Sequence, residues 1–281
     1  MRIRTLIVGT LWLLAIIVGV FLWVSWQTFQ PLRVIFLDVG QGDAILMTEG
    51  ETQVLIDGGP DGRRLLGKLG RFMPFWDHQI EAVIATHPDA DHIGGLASAV
   101  RRYQVAQFLS NGAESESGTF QDLKRALAES SLTTQSVLGT GSKLLFPGGG
   151  ELSVLFPNAG SADTLGETNE GSIVARFRYR EASFLLTGDL PHEETALPDI
   201  EPTRVLKVAH HGSKYSTSEA WLEKVKPETA IISVGKNRYG HPASEVLDRL
   251  RAANVTIFRT DENGDIVYVC QEQTCRRERN E

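Results

Sequence analysis

The chain has 281 residues, 42% of them hydrophobic and 22% charged, with a formal net charge of −7. Its 27 glycines, 11 prolines and two cysteines fall in the ordinary globular range, which excludes a disordered chain, a collagen-like fibre and a disulfide-built miniprotein. Two cysteines are also too few for a thiolate zinc cluster, so any metal must be held mainly by His, Asp and Glu.

Residues 5–26 form an uncharged apolar run of about 20 residues, the length that spans a bilayer as a helix. A cleaved secretory signal is the competing reading, but Val24-Ser25-Trp26-Gln27 is a poor small-residue cleavage site. Arg2 and Arg4 precede the run and only Arg33 follows closely, so the expectation is an uncleaved anchor with the N-terminus inside and the remainder outside the cytoplasmic membrane. Residues 1–30 hold two Arg and no acid, which leaves −9 on the rest and excludes a broadly basic nucleic-acid surface.

From Arg33 onward short β-rich runs follow one another at hairpin spacing: Val34 to Val39, Ala44 to Thr48 and Gln53 to Gly59. The pattern then changes to a helix near Arg63 to Arg71, a buried strand ending at Thr86 and a helix from Gly94 to Tyr103. A second half repeats the order. Strands are predicted at Leu152 to Phe156, Ser172 to Tyr179 and Ala182 to Asp189, followed by strand Val205 to His211, a helix from Ser218 to Lys226, strand Ala230 to Gly235, a helix from Ser244 to Ala253 and strand Val255 to Arg259. Two mixed sheets with helices on their outer faces fit this order, as one domain over residues 31–281 behind the 1–30 stub and anchor. Arg176, Arg178 and Arg180 share one sheet face, which in an acidic domain reads as a solvated face rather than a nucleic-acid track. Cys270 and Cys275 either pair across a terminal turn, as an oxidising exterior permits, or remain separate thiols.

The chemistry concentrates at strand ends. Thr86-His87-Pro88-Asp89-Ala90-Asp91-His92 puts four candidate ligands in six positions where a buried strand gives way to a helix. Capping of that helix explains Asp91 alone and leaves His87, Asp89 and His92 calling for a metal. Thr187-Gly188-Asp189 and Ala209-His210-His211-Gly212-Ser213 end two other strands at the same sheet edge.

Together with Leu37-Asp38-Val39-Gly40-Gln41-Gly42-Asp43-Ala44, Ile56-Asp57-Gly58-Gly59 and Tyr239-Gly240-His241-Pro242, these motifs resemble the metallo-β-lactamase fold hydrolases. They are most similar to the extracytoplasmic, C-terminal nuclease-like domain of the ComEC competence proteins, over nearly everything after Arg33. The resemblance implies an α/β four-layer αββα sandwich with two divalent ions, zinc or manganese. It assigns His87 and Asp89 to one ion, Asp91, His92 and His210 to the other, and Asp189 as the bridge, with Asp57 supporting the metal loop. Most of the superfamily has His at the Asp89 position, and a further His before the Thr-Gly-Asp strand where this chain has Asn169-Glu170-Gly171-Ser172. Asn169 and Ser172 are therefore expected to meet substrate, as are Ser213 and Lys214 in the loop after the histidines. Asp91 or Asp189 orients the attacking water, His241 is placed to protonate the leaving oxygen, and His211 is expected on a substrate oxygen because strand alternation points it away from His210.

The function that follows is a membrane-anchored, metal-dependent phosphodiesterase acting on DNA outside the cytoplasmic membrane, beside a DNA-uptake channel. A metallo-hydrolase of a small ester, lactam, thioester or choline-phosphate substrate is the alternative, and a non-catalytic DNA-binding uptake accessory a second one.

Overall fold

The computed structural model describes residues 9–21, 31–161 and 168–278. Residues 9–21 form helix α1, whose apolar side chains stand exposed. The expected membrane span runs past it at both ends, and residues 5–8 and 22–26 lie outside the described residues. Among the described residues no helix is long and apolar enough to cross a membrane.

The first half opens with three antiparallel strands, β1 (Leu32–Phe36), β2 (Ile45–Glu49) and β3 (Thr52–Ile56). Helix α2 (Gly62–Phe72) follows, started by the Asp61 carboxylate accepting from Arg64 N at 2.8 Å and turned inward by Leu65 and Leu69. The chain then alternates: β4 (Gln79–Ala85), the short helices α3 (Ala90–Ile93) and α4 (Leu96–Arg102), β5 (Gln104–Ser110), α5 (Gly118–Glu129) and β6 (Thr134–Val137). β3, β4, β5 and β6 pair in parallel.

The second half repeats the scheme. β7 (Lys143–Leu145), β8 (Glu151–Phe156), β9 (Val174–Tyr179) and β10 (Ala182–Leu186) are antiparallel neighbours. After α6 (Glu193–Ala196) come β11 (Val205–Lys207), α7 (Glu219–Val225), β12 (Thr229–Ile232), α8 (Ser244–Ala252) and β13 (Thr256–Arg259), with β10 to β13 parallel. The short α9 (Thr260–Asn263) leads to the hairpin β14 (Ile266–Gln271) and β15 (Thr274–Arg277), which returns to β1 in the first sheet. Cys270 faces Cys275 across this hairpin, and the two form a disulfide.

The sheets have eight and seven strands and face each other across an apolar layer that includes Phe36, Phe177, Phe184 and Tyr268. A second cluster fills the space between the first sheet and α2, α4 and α5, and a third lies between the second sheet and α7 and α8. The result is helix, sheet, sheet, helix, as the alternating pattern predicts.

Two local expectations change. The predicted helix from Gly94 to Tyr103 is met by α4, but a separate turn, α3, precedes it, and between the two Gly94 and Gly95 run so close to the turn after β3 that a Cβ would lie 2.4 Å from Pro60 O or 2.2 Å from Gly58 O. That close approach seats the loop of His87 to His92 on the turn after β3. The arginine row is solvated only in part: Arg178 and Arg180 are exposed, but Arg176 is buried and donates to Glu201 Oε2 at 2.8 Å and to its carbonyl at 2.6 Å, and Arg178 pairs with the same carboxylate.

Phe184 is fully buried between the sheets, its ring 5.9 Å from Phe177 and 5.1 Å from Tyr268. Phe184→Ala is expected to cost about 3–5 kcal/mol, read as a lower urea midpoint with an unchanged denaturant slope.

Candidate metal centre

One buried carboxylate organises the first half of the site. Asp57, at the end of β3, accepts from Thr86 N at 2.8 Å and from Thr86 Oγ1 at 2.7 Å, which fixes the chain as it leaves β4. The same carboxylate lies 2.8 Å from His92 Nδ1 and accepts the hydrogen bond of that N–H, which turns Nε2 outward, 3.2 Å from Asp189 Oδ2. Asp89 is the N-cap residue of α3 but makes no side-chain capping bond, and Asp91 sits in the first turn. Capping therefore consumes neither carboxylate.

The second half comes from the ends of β10 and β11. Gly188, at φ 52, turns Asp189 in over the sheet edge, where its backbone N–H donates to Ser172 Oγ at 3.2 Å. β11 ends at Lys207, and His210 and His211 both adopt left-handed backbone angles, φ 48 and 53. Strand alternation, which was expected to point these two rings apart, does not apply there. His211 Nδ1 donates to Ser233 O at 2.8 Å, and its Nε2 lies 3.2 Å from Asp91 Oδ2 and 3.3 Å from Asp189 Oδ2. His210 is nearer the opening, with its side chain 30% exposed and its Nε2 3.9 Å from Asp189 Oδ2.

Asp91, His92, Asp189 and His211 thus offer ligand atoms all within 4.8 Å of one another. A second such group, Asp43, Asp57 and His92, is already closed by protein hydrogen bonds and ion pairs, which makes it a support for the first. Next to the quartet, His87 is buried and its ring centroid is 4.1 Å from that of His92, while its Nε2 lies 3.8 Å from Asp89 Oδ2. His87 Nε2, His92 Nε2, His211 Nε2 and Asp189 Oδ1 are buried and make no hydrogen bond of good geometry. Two imidazoles and two carboxylates converging with atoms left over suit a divalent cation, and His87 with Asp89 extends the donor set toward a second.

Without a cation, the protein's own protons balance these charges. Burial alone would lower both imidazoles, yet Asp189 and Asp57 hold His92 well above its usual value, and Asp189 and Asp91 push His211 up to about 9. Burial would raise Asp189, but His211 and His92 keep it well below the carboxylate range. His87 lies well below its usual value, through burial and the neighbouring His92. Ligand binding of a metal here must displace protons.

Of the remaining expected residues, His241 borders this cluster. His241 lies with its ring centroid 5.3 Å from that of His210 and 6.5 Å from that of His211, and burial with these two neighbours lowers it to about 4. Asn169 keeps a buried Oδ1 without a partner, whereas Ser172 is engaged with Asp189. Ser213 Oγ accepts from Tyr215 N at 3.4 Å, and Lys214 is exposed with its ammonium over the Tyr215 ring. Two buried residues were not singled out from the sequence. Lys207 Nζ donates to Gly188 O at 2.8 Å, pairs with Asp43 and lies 3.6 Å from Asp189 Oδ1. A lysine inside the apolar run Val205 to Ala209 is the signal, since a buried ammonium needs a carboxylate.

The chain matches the metallo-beta-lactamase superfamily model over residues 37–236 and belongs to that superfamily. The family assignment and the donor set point to a metal-dependent hydrolase, and the fold binds divalent metals, often two. Among curated proteins it is 33% identical to ComE operon protein 3 of Bacillus subtilis over 83% of this chain, and 27% identical to competence protein ComA of Neisseria gonorrhoeae over 82%. The matched regions are 32% and 31% of those proteins, so the chain spans about a third of the length of these relatives. Among solved structures, the metallo-beta-lactamase fold protein YhfI from Bacillus subtilis superposes with a TM-score of 0.58 at 13% identity, covering 86% of this chain and all of that one.

Removing one partner of the buried Lys207–Asp43 pair leaves an uncompensated charge. Lys207→Met is expected to cost about 3–5 kcal/mol, and the double variant Lys207→Met/Asp43→Asn to recover part of it, as read by urea unfolding in chelator.

Proposed function

We propose that the protein is a metal-dependent phosphodiesterase acting on DNA, anchored through residues 5–26 with its hydrolase domain outside the cytoplasmic membrane. The observation that carries the hydrolase is the quartet of Asp91, His92, Asp189 and His211, whose ligand atoms lie within 4.8 Å of one another, with His92 Nε2, His211 Nε2 and Asp189 Oδ1 buried and without a hydrogen bond of good geometry. Similarity to competence proteins supports DNA as the substrate class and an uptake channel as the setting. The Cys270–Cys275 disulfide supports an oxidising compartment, and Arg2 and Arg4 ahead of the apolar run support the orientation.

In this reading Asp91, His92, Asp189 and His211 hold one ion. His87 and Asp89, with Asp189 shared, hold a second in an oxygen-rich setting suited to manganese as well as zinc. His211 takes the ligand role that the family resemblance gave to His210, because its Nδ1 is fixed on Ser233 O and its Nε2 faces two carboxylates. When bound, the ions supply Lewis acidity and an acidified water. Asp57 and Ser233 orient the two imidazoles, and Asp91 and Asp189 direct the attacking water. His210 and His241 stand at the opening and contact the phosphate and leaving oxygen. Asn169, with its unpartnered Oδ1, and the exposed Lys214, as the cation for a phosphate, meet the substrate, while Ser172 and Ser213 are buried behind them and position Asp189 and the loop after the histidines.

The test is metal content and turnover on single-stranded DNA, duplex DNA, bis-p-nitrophenyl phosphate and a lactam, with manganese or zinc. Asp189→Ala and His211→Ala are expected to lose metal and activity together. His210→Ala is expected to keep its metal while turnover falls about a hundredfold or more. Cleavage of the lactam with none of the phosphodiesters refutes the substrate class, and full metal retention in His211→Ala with loss in His210→Ala refutes the ligand assignment.

A further inference from the structure

The two edges of the sandwich differ in the apolar surface they present. β1 starts at Leu32, directly after Pro31, and its start lies beside the β2–β3 turn through the pairs Arg33 with Thr48 and Glu49 with Thr52. Because β3 to β6 run parallel, the segments leading into β4, β5 and β6 share this edge, while the metal centre occupies the edge where the strands end.

At the edge where the chain enters the domain, four large apolar side chains stand out. Phe75 and Trp76 precede β4, Leu132 precedes β6, and Leu145 ends β7, exposed by 86%, 48%, 64% and 73% respectively. The turn after Leu145 is tied to this edge by Gly148 N donating to Glu49 at 2.9 Å. The Phe75 and Trp76 rings meet edge to face with centroids 4.8 Å apart. The other exposed large hydrophobics of the domain, among the described residues, are Val137 at the end of β6, and Tyr215 and Tyr239 in the loops after β11 and β12, all toward the metal-centre edge. Clustered exposed aromatic and aliphatic groups on one edge mark a contact surface.

We propose that this edge rests on the bilayer into which residues 5–26 lead, with Phe75 and Trp76 inserted at headgroup depth. The proposal rests on the membrane anchor of the preceding section. Geometry leaves the edge little choice, since the five peptide steps from Trp26 to Pro31 span at most about 18 Å when fully extended. Trp at the interface buries its ring while its N–H stays hydrated, and Phe and Leu add apolar area beside it. The edge carries both signs, Glu49 and Glu51 beside Arg33 and Arg102, so the attraction is apolar rather than a basic patch reading anionic lipid, and zwitterionic headgroups suffice. The same seating turns the metal centre toward the aqueous side, about 23 Å farther out, the length of β4.

The chain offers no free thiol, because its two cysteines form the disulfide, so a single introduced cysteine can be labelled specifically. The full chain is reconstituted in phosphatidylcholine vesicles with an environment-sensitive fluorophore on Phe75→Cys, Leu132→Cys or Tyr215→Cys. The labels at 75 and 132 are expected to shift to the blue and lose most of their emission to nitroxide-bearing phosphatidylcholine, while the label at 215 is quenched only by aqueous iodide. A chain that floats with the vesicles but shows iodide quenching at 75 and 132 overturns the proposal and spares the anchor. Protection of 75 and 132 from both quenchers means that protein, a second copy or another chain, covers the edge, and overturns it too. A chain that fails to float overturns the anchor and the proposal together.

Discussion

Charge balance at one dry sheet edge is the constraint on which this protein turns. Asp43, Asp57 and Asp189 are each at most 2% exposed, and Asp91 stands beside them, so their negative charge must be met within a few ångströms. Lys207 answers Asp43 from below, and His92 and His211 answer Asp57, Asp91 and Asp189 from the sides. That pattern explains why a lysine is tolerated inside a buried strand and why two imidazoles are held above their ordinary values in the absence of a cation. A divalent ion held by Asp91, His92, Asp189 and His211 would relieve the same imbalance, since the outward nitrogens and the carboxylate oxygens already lie within 4.8 Å of one another. The fold serves this arrangement by bringing the ends of β3, β4, β10 and β11 to one edge, with Gly94 and Gly95 where the backbone approaches closely and Gly188 where it turns left-handed into Asp189.

Much of this is legible in the sequence because catalytic groups have no reason to cluster at strand ends otherwise. The run from Thr86 to His92, Thr187-Gly188-Asp189 and the paired histidines mark the site, and the alternating strand and helix pattern marks the two halves of the sandwich. What escapes is conformation that no periodicity encodes. His210 and His211 look like strand residues of opposite facing, but two consecutive left-handed residues carry both toward Asp189 and put His211 in the deeper position. Arg176 reads as a surface residue until Glu201, from a distant loop, is seen to cover it. Strands β5, β6 and β7 and helix α5 carry weak signals, since β6 is exposed at every position and α5 buries only Leu123, Ala126 and Leu127 of its 12 residues.

The sandwich also has a direction. Strand ends gather the polar chemistry at one edge, and the opposite edge, where the chain enters at Pro31, carries Phe75, Trp76, Leu132 and Leu145. A chain about a third as long as its competence relatives therefore holds a hydrolase-type centre and a distinct apolar edge in one unit.

If two fixed imidazoles and two carboxylates form one cation site, X-ray absorption at the metal edge of protein loaded with one equivalent of zinc will see them. Two imidazole nitrogens, those of His92 and His211, are expected at about 2.0–2.1 Å, completed by carboxylate oxygen, with one nitrogen lost in His211→Ala. A shell of oxygens alone, or a spectrum unchanged by His211→Ala, would contradict it.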